Sequence, residues 1–152
     1  MRTAYRVLAY LVCGLVAVQA ATHAWASAGL SAYIFGGGTI DPTASAPPPV
    51  PEFLGIMIHG MNGMYVIPLV ALVLLVVSFF TRTPGAVPFA ATVLGLVVLQ
   101  VTLGLMGHGM TFLALLHGLN ALAIFAVALI AGTRIGRVRS ERSAPERVGA
   151  TA

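Results

Sequence analysis

The sequence predicts an all-α integral membrane protein, a four-helix bundle running up, down, up and down and built from two tandem helical hairpins. Three observations carry this. Of 152 residues, 59% are hydrophobic and 8% charged, with a mean hydropathy of +0.97, a balance foreign to soluble domains. Four apolar runs, Tyr5 to Ala28, Phe53 to Phe80, Ala86 to Met106 and Thr111 to Thr133, reach the roughly 20 residues that a helix needs to cross hydrocarbon. With alternating crossings, all the cations, Arg2, Arg6, Arg82, Arg134, Arg137, Arg139, Arg142 and Arg147, fall on one side.

The first run follows Arg2 and Arg6 and ends in Ala24-Trp25-Ala26-Ser27-Ala28, which also outlines a signal peptide with a small-residue cleavage site. Its match to the third run, described below, favours a retained helix. Cys13 is alone, so no internal disulfide forms, and its place in the inner half of the run suits a small buried apolar residue. Residues 29–52 form an outer loop, because Gly36-Gly37-Gly38 and Pro47, Pro48, Pro49 and Pro51 break helix and strand alike. The glycine triplet lacks the lysine and hydroxyl residue of a phosphate-binding loop. Tyr33, Ile34 and Phe35 before it suit a headgroup-level anchor or a lid over the outer helix ends.

In the second run Pro68 removes the hydrogen bond to Met64 and clashes with its carbonyl, which predicts a kink. The inner turn Thr81 to Pro88 and the outer turn Gly107-His108-Gly109 are short, which makes successive helices antiparallel neighbours. Residues 134–152 are expected to form a disordered basic tail that meets anionic lipid headgroups. No aromatic residue interleaves with its arginines, which speaks against nucleic acid. The cation pattern puts both termini in the cytoplasm. The absence of lysine beside abundant Ala, Val, Gly and Arg fits a GC-rich bacterium, so the bacterial plasma membrane is the expected location.

Polar residues within the runs are costly in hydrocarbon and usually face the bundle interior. They are few and ordered. His59-Gly60-Met61-Asn62 in the second run returns in the fourth as His117-Gly118-Leu119-Asn120. Each Asn lies one turn after its His on the same face, and the intervening Gly leaves room for a flat group. Both histidines sit at equal depth, about 9 Å along their helix axes. Val16-Ala17-Val18-Gln19 likewise aligns with Val97-Val98-Leu99-Gln100, so each hairpin pairs a Gln helix with a His helix.

In such a bundle the second and fourth helices stand on opposite corners, so His59 and His117 face each other and can supply both axial ligands of one b-type haem. No Cys-x-x-Cys-His occurs, which excludes covalent attachment through paired thioethers. Gln19, Gln100, Asn62 and Asn120 would bond the distal imidazole nitrogens or the propionates. His23 and His108 lie nearer the surface and suit a second pair, a propionate contact or plain interfacial residues. Two other possibilities stay open: the polar residues only hold helices together in a structural or accessory subunit, or the same cavity takes quinone or another apolar ligand. No catalytic base or nucleophile stands out, so enzymatic activity by this chain alone is not expected.

His59-Gly60-Met61-Asn62, Leu99-Gln100-Val101-Thr102-Leu103-Gly104 and His117-Gly118-Leu119-Asn120 resemble a family of small four-helix bacterial membrane proteins of unassigned function. The resemblance covers nearly the whole chain. The Gln-x-x-Leu-Gly run before a helix with an inner His is also similar to one four-helix half of haem A synthase, whose halves hold haem between histidines of their second and fourth helices. That likeness implies His59 and His117 as haem-iron ligands. A chain half the size of the synthase suits a homodimer, and a redox partner is the other association expected. The synthase pattern has a glutamate three residues before its first His, where this chain has Ile56.

Overall fold

Hydrocarbon offers no hydrogen-bond partners, so a chain crossing it must satisfy its own backbone. This chain does so with four long helices. The computed structural model describes residues 1–143 apart from 42, 45 and 48, with side chains through Arg134. The helices are α1 (Arg2–Phe35), α2 (Pro51–Phe79), α3 (Ala86–Gly107) and α4 (Thr111–Ser143). Each is long and apolar enough to cross a membrane, and large apolar side chains such as Val7, Leu72, Val98 and Leu122 face outward along all four. The chain is a multi-pass integral membrane protein.

Around the bundle α1 packs on α2, α2 on α3, α3 on α4 and α4 back on α1. Helices α2 and α4 therefore occupy opposite corners. One end of the bundle, here the near end, holds the N-terminus and the α2–α3 turn; the far end holds the α1–α2 and α3–α4 connections. Arg2, Arg6, Arg82 and Arg134 all lie at the near end.

Two helices outrun the sequence expectation. Helix α1 continues about two turns beyond Ala28, so Tyr33, Ile34 and Phe35 form its last turn rather than a loop. The glycine triplet stops it: Gly36 and Gly37 donate to main-chain carbonyls of that turn, and Gly37 takes a positive φ of 91°. Helix α4 runs on to Ser143, well into the stretch expected to be disordered. Arginine is a good helix former, and no proline intervenes before Pro145. Glu146, Arg147 and the rest of 144–152 lie outside the described residues.

The core is built at the near end and in the middle. Tyr5, Ala9, Val12 and Val16 of α1 are buried, and so are their counterparts in α3 at one constant offset, Ala86, Ala90, Val93 and Val97. Tyr5 closes the near end by reaching across the α1–α3 diagonal, where its hydroxyl donates to the Ala86 carbonyl at 3.0 Å. Cys13, buried as expected, donates to the Phe125 carbonyl of α4 at 3.5 Å. Arg134 caps this region with its guanidinium 5.1 Å above the Phe89 ring.

Helix α2 is not uniform. A 3-10 turn (Pro51–Phe53) leads into α-helix (Leu54–Met61), a π-turn (Asn62–Val66) and α-helix again (Ile67–Phe79). In the π-turn the Ile67 amide donates to the Asn62 carbonyl, one residue further back than α-geometry allows. The expected disturbance at Pro68 thus takes the form of a wide turn immediately before it, where the amide missing from proline and its ring clash are absorbed.

Comparison with α4 shows what the π-turn does. Above it, His59 and Asn62 match His117 and Asn120 at one offset. Below it the offset drops by one: buried Ile67, Ala71 and Leu74 match buried Ile124, Ala128 and Ala131. The first hairpin therefore carries one inserted residue, and the π-turn accommodates it without rotating either end off the core. Deleting Tyr65 should convert the π-turn to an α-turn and leave both faces in phase. Deleting Phe125 from α4 should instead turn His117 and Asn120 about 100° away from the interface. Thermal unfolding in detergent should show the Tyr65 deletion close to the parent protein and the Phe125 deletion far less stable.

Candidate functional site

The repeated polar residues meet in the far half of the bundle, and each hairpin assembles its set in the same way. His59 on α2 has Nδ1 3.0 Å from the main-chain oxygen of Gln19 on α1, and His117 on α4 has Nδ1 3.0 Å from that of Gln100 on α3. A carbonyl oxygen only accepts, so Nδ1 carries the proton and donates in both rings. Each Nε2 is left as a bare lone pair, the form in which a neutral imidazole binds metal. A carbonyl has two lone pairs, so accepting the imidazole need not cost the glutamine helix its own ladder bond.

One turn deeper, Asn62 Nδ2 donates to the Leu15 carbonyl and to Gln19 Oε1, both at 3.2 Å. Asn120 Nδ2 donates to the Leu96 carbonyl at 2.9 Å and to Gln100 Oε1 at 2.7 Å. Here the structure corrects the sequence expectation. The glutamine and asparagine amides bond to each other, and the imidazoles are held by glutamine main chain rather than by side-chain amides. Small residues permit this close approach. A Cβ at Gly104 would stand 3.0 Å from His117 Cε1, one at Gly63 would press on the Gln19 amide, and one at Gly55 would run into the Thr22 carbonyl.

The two hairpins bring the half-buried rings of His59 and His117 together across the α2–α4 diagonal, with centroids 6.1 Å apart and planes inclined by 50°. Gly60 and Gly118, next in chain, have open space where a side chain would stand: a Cβ at either meets nothing within 4 Å. Leu103, Ala26, Gly29 and Gly55 are buried nearby, but the largest fully buried side chains, Tyr5, Leu74, Ile124, Val12, Val93 and Val97, belong to the closed core below.

The site is not fully symmetric. Asn62 begins the π-turn, its bonds are longer than those of Asn120, and its Oδ1 is buried with no hydrogen-bond partner among the described residues. His23, which the sequence left near the surface, packs its ring 5.1 Å from that of His59 at 49°. The signal for this contact was present, since His23 lies one helical turn after Gln19 on the same face. His108 is exposed in the α3–α4 turn, with Nδ1 3.3 Å from the Leu105 carbonyl. Glu52, on the His59 side of α2 by spacing, lies against Gly29 of α1. Among the described residues no group of three or more His, Cys, Asp or Glu side chains is placed to hold a metal ion.

No family model matches the chain, and neither a curated protein nor a solved structure matches it.

Polar links between membrane helices average about 0.6 kcal/mol and reach roughly 1.7 kcal/mol. Replacing Asn120 with Leu should fall toward the upper figure, because two short bonds are lost and Gln100 Oε1 and the Leu96 carbonyl lose their partner. Replacing Asn62 with Leu should cost less. A double-mutant cycle on Gln100 and Asn120, read by equilibrium unfolding in mixed micelles, is expected to give stronger coupling than the same cycle on Gln19 and Asn62.

Proposed function

We propose that the chain holds one b-type haem between α2 and α4, near the outer leaflet, with His59 and His117 as axial ligands, and that it serves electron transfer or haem handling. The supporting observation is the pair of facing imidazoles, both held as Nδ1–H tautomers with Nε2 free. Metal–nitrogen bonds of about 2 Å, with each ring centre about 1 Å behind its Nε2, separate two axial ring centroids by roughly 6 Å. The centroids here are 6.1 Å apart. Gly60 and Gly118, next in chain to the two histidines, carry no side chain that could obstruct a flat macrocycle.

Haem bound there supplies a reversible one-electron couple, with a potential set by its ligands, hydrogen bonds and burial. The chain's own residues set those conditions. The Gln19 and Gln100 carbonyls fix the tautomer and orientation of each imidazole and raise its basicity. The Asn–Gln links hold each His helix against its partner, and the closed core below excludes water from the near side.

The arginines at the near end support a cytoplasmic position for both termini, which puts the imidazoles toward the outer face. The basic end of α4 suits anionic headgroups. The likeness to half of haem A synthase favours a second copy of the chain or a separate redox protein as the electron partner.

A reduced-minus-oxidised spectrum of protein purified from haem-supplemented cells tests this. The wild type is expected to show the sharp reduced bands of six-coordinate b-haem, and His59→Ala or His117→Ala to lose haem or give a five-coordinate form. A folded wild type that stays colourless with ample haem would remove the proposal. The repeated polar residues would then be helix-packing groups or contacts for an iron-free apolar ligand.

A further inference from the structure

Three of the four histidine rings place a nitrogen on a main-chain carbonyl. The fourth, His23, makes no hydrogen bond among the described residues, although its ring lies 5.1 Å from that of His59. It is exposed. It also stands one turn beyond Gln19 toward the far end of α1. Both of its nitrogens are thus uncommitted, next to a ring whose Nε2 is bare.

The repeat shows that the scaffold does not require this ring. At the offset relating Gln19 to Gln100, the counterpart of His23 is Gly104, where even a Cβ would crowd His117. The second hairpin packs glycine against its imidazole; the first presents another, exposed imidazole. A residue that only filled the α1–α2 interface would not need two ring nitrogens or an exposed position.

We propose that His23 is the loading ligand of the site. It takes the iron of an incoming haem at the outer face and passes it to His59. The exchange breaks one coordinate bond, His23 nitrogen to iron, as another forms, His59 Nε2 to iron. All three imidazoles act as neutral donors, so the iron keeps its oxidation state and no proton moves. His117 then completes the axial pair. This inference rests on the haem reading and adds to it a direction of access and a residue that acts before the final complex exists.

Stopped-flow mixing of haemin with the apoprotein in detergent provides the test, with wild type, His23→Ala, His23→Gln and His23→Met compared. The Ala and Gln variants should load at least about tenfold more slowly than wild type. They should nevertheless reach the same final six-coordinate spectrum, because His59 and His117 are untouched. His23→Met, which restores an iron ligand of another shape, should recover most of the rate. Equal rates across the series would overturn the loading role while leaving the haem site standing. So would a final spectrum that changes with His23, since it would make this ring part of the finished site. A wild-type apoprotein that takes up no haem would defeat the underlying haem reading itself.

Discussion

In each hairpin an imidazole N–H is matched to a main-chain carbonyl on the neighbouring helix, and the far half of the bundle is arranged around that match. A ring N–H left unpaired in hydrocarbon costs several kcal/mol, so it must find an acceptor within the protein. On a regular helix the available acceptors are carbonyls already engaged in the ladder, each with one lone pair to spare. Reaching one needs the two helices close together at the right height. Gly104 and Gly63 allow that approach, and the Asn–Gln links one turn deeper hold the height. The tautomer follows: with the proton on Nδ1, both Nε2 atoms remain bare. The orientation of the imidazoles at the diagonal thus follows from satisfying polar groups in lipid.

The same constraint divides the bundle along its length. At the near end Tyr5 crosses one diagonal, from α1 to α3, and buried Ala9, Ala90, Ala71 and Ala128 let the helices pack tightly. At the far end it is the other diagonal, α2 to α4, that is spanned, by two half-buried imidazoles. A closed core below and an opening of imidazole and glycine above suit a site approached from one side only. The helices can support the opening because their lower halves fix their spacing.

Much of this was legible in the sequence. Four apolar runs specify four crossings because hydrocarbon thickness sets helix length, and alternation then puts the second and fourth helices on opposite corners. The doubled His-Gly-x-Asn motif and the doubled Gln marked the residues that the structure brings together in the far half. What escaped was phase and partner. A one-residue insertion such as that in α2 does not alter a motif search; it appears only when the burial of Ile67, Ala71 and Leu74 is set against that of Ile124, Ala128 and Ala131. The side-chain amides were expected at the imidazoles or at haem propionates; the imidazoles are met by glutamine main chain instead, and main-chain acceptors carry no signature in sequence. The ends of α1 and α4 were misjudged because helices may continue past hydrocarbon wherever the local residues allow it, and neither Tyr33-Ile34-Phe35 nor the arginine stretch forbids it.

Several differences between the two hairpins sit around His59. The first hairpin holds the π-turn, the longer Asn62 bonds, the unpartnered Asn62 Oδ1, and His23 where the second hairpin has Gly104. Helices α3 and α4 thus hold the tighter Asn–Gln geometry and α1 and α2 the looser one. The π-turn sits on the looser side, and such turns occur frequently at functional sites in helices. His59 lies three residues above that turn and beside the exposed ring of His23, whereas His117 sits on unbroken α-helix.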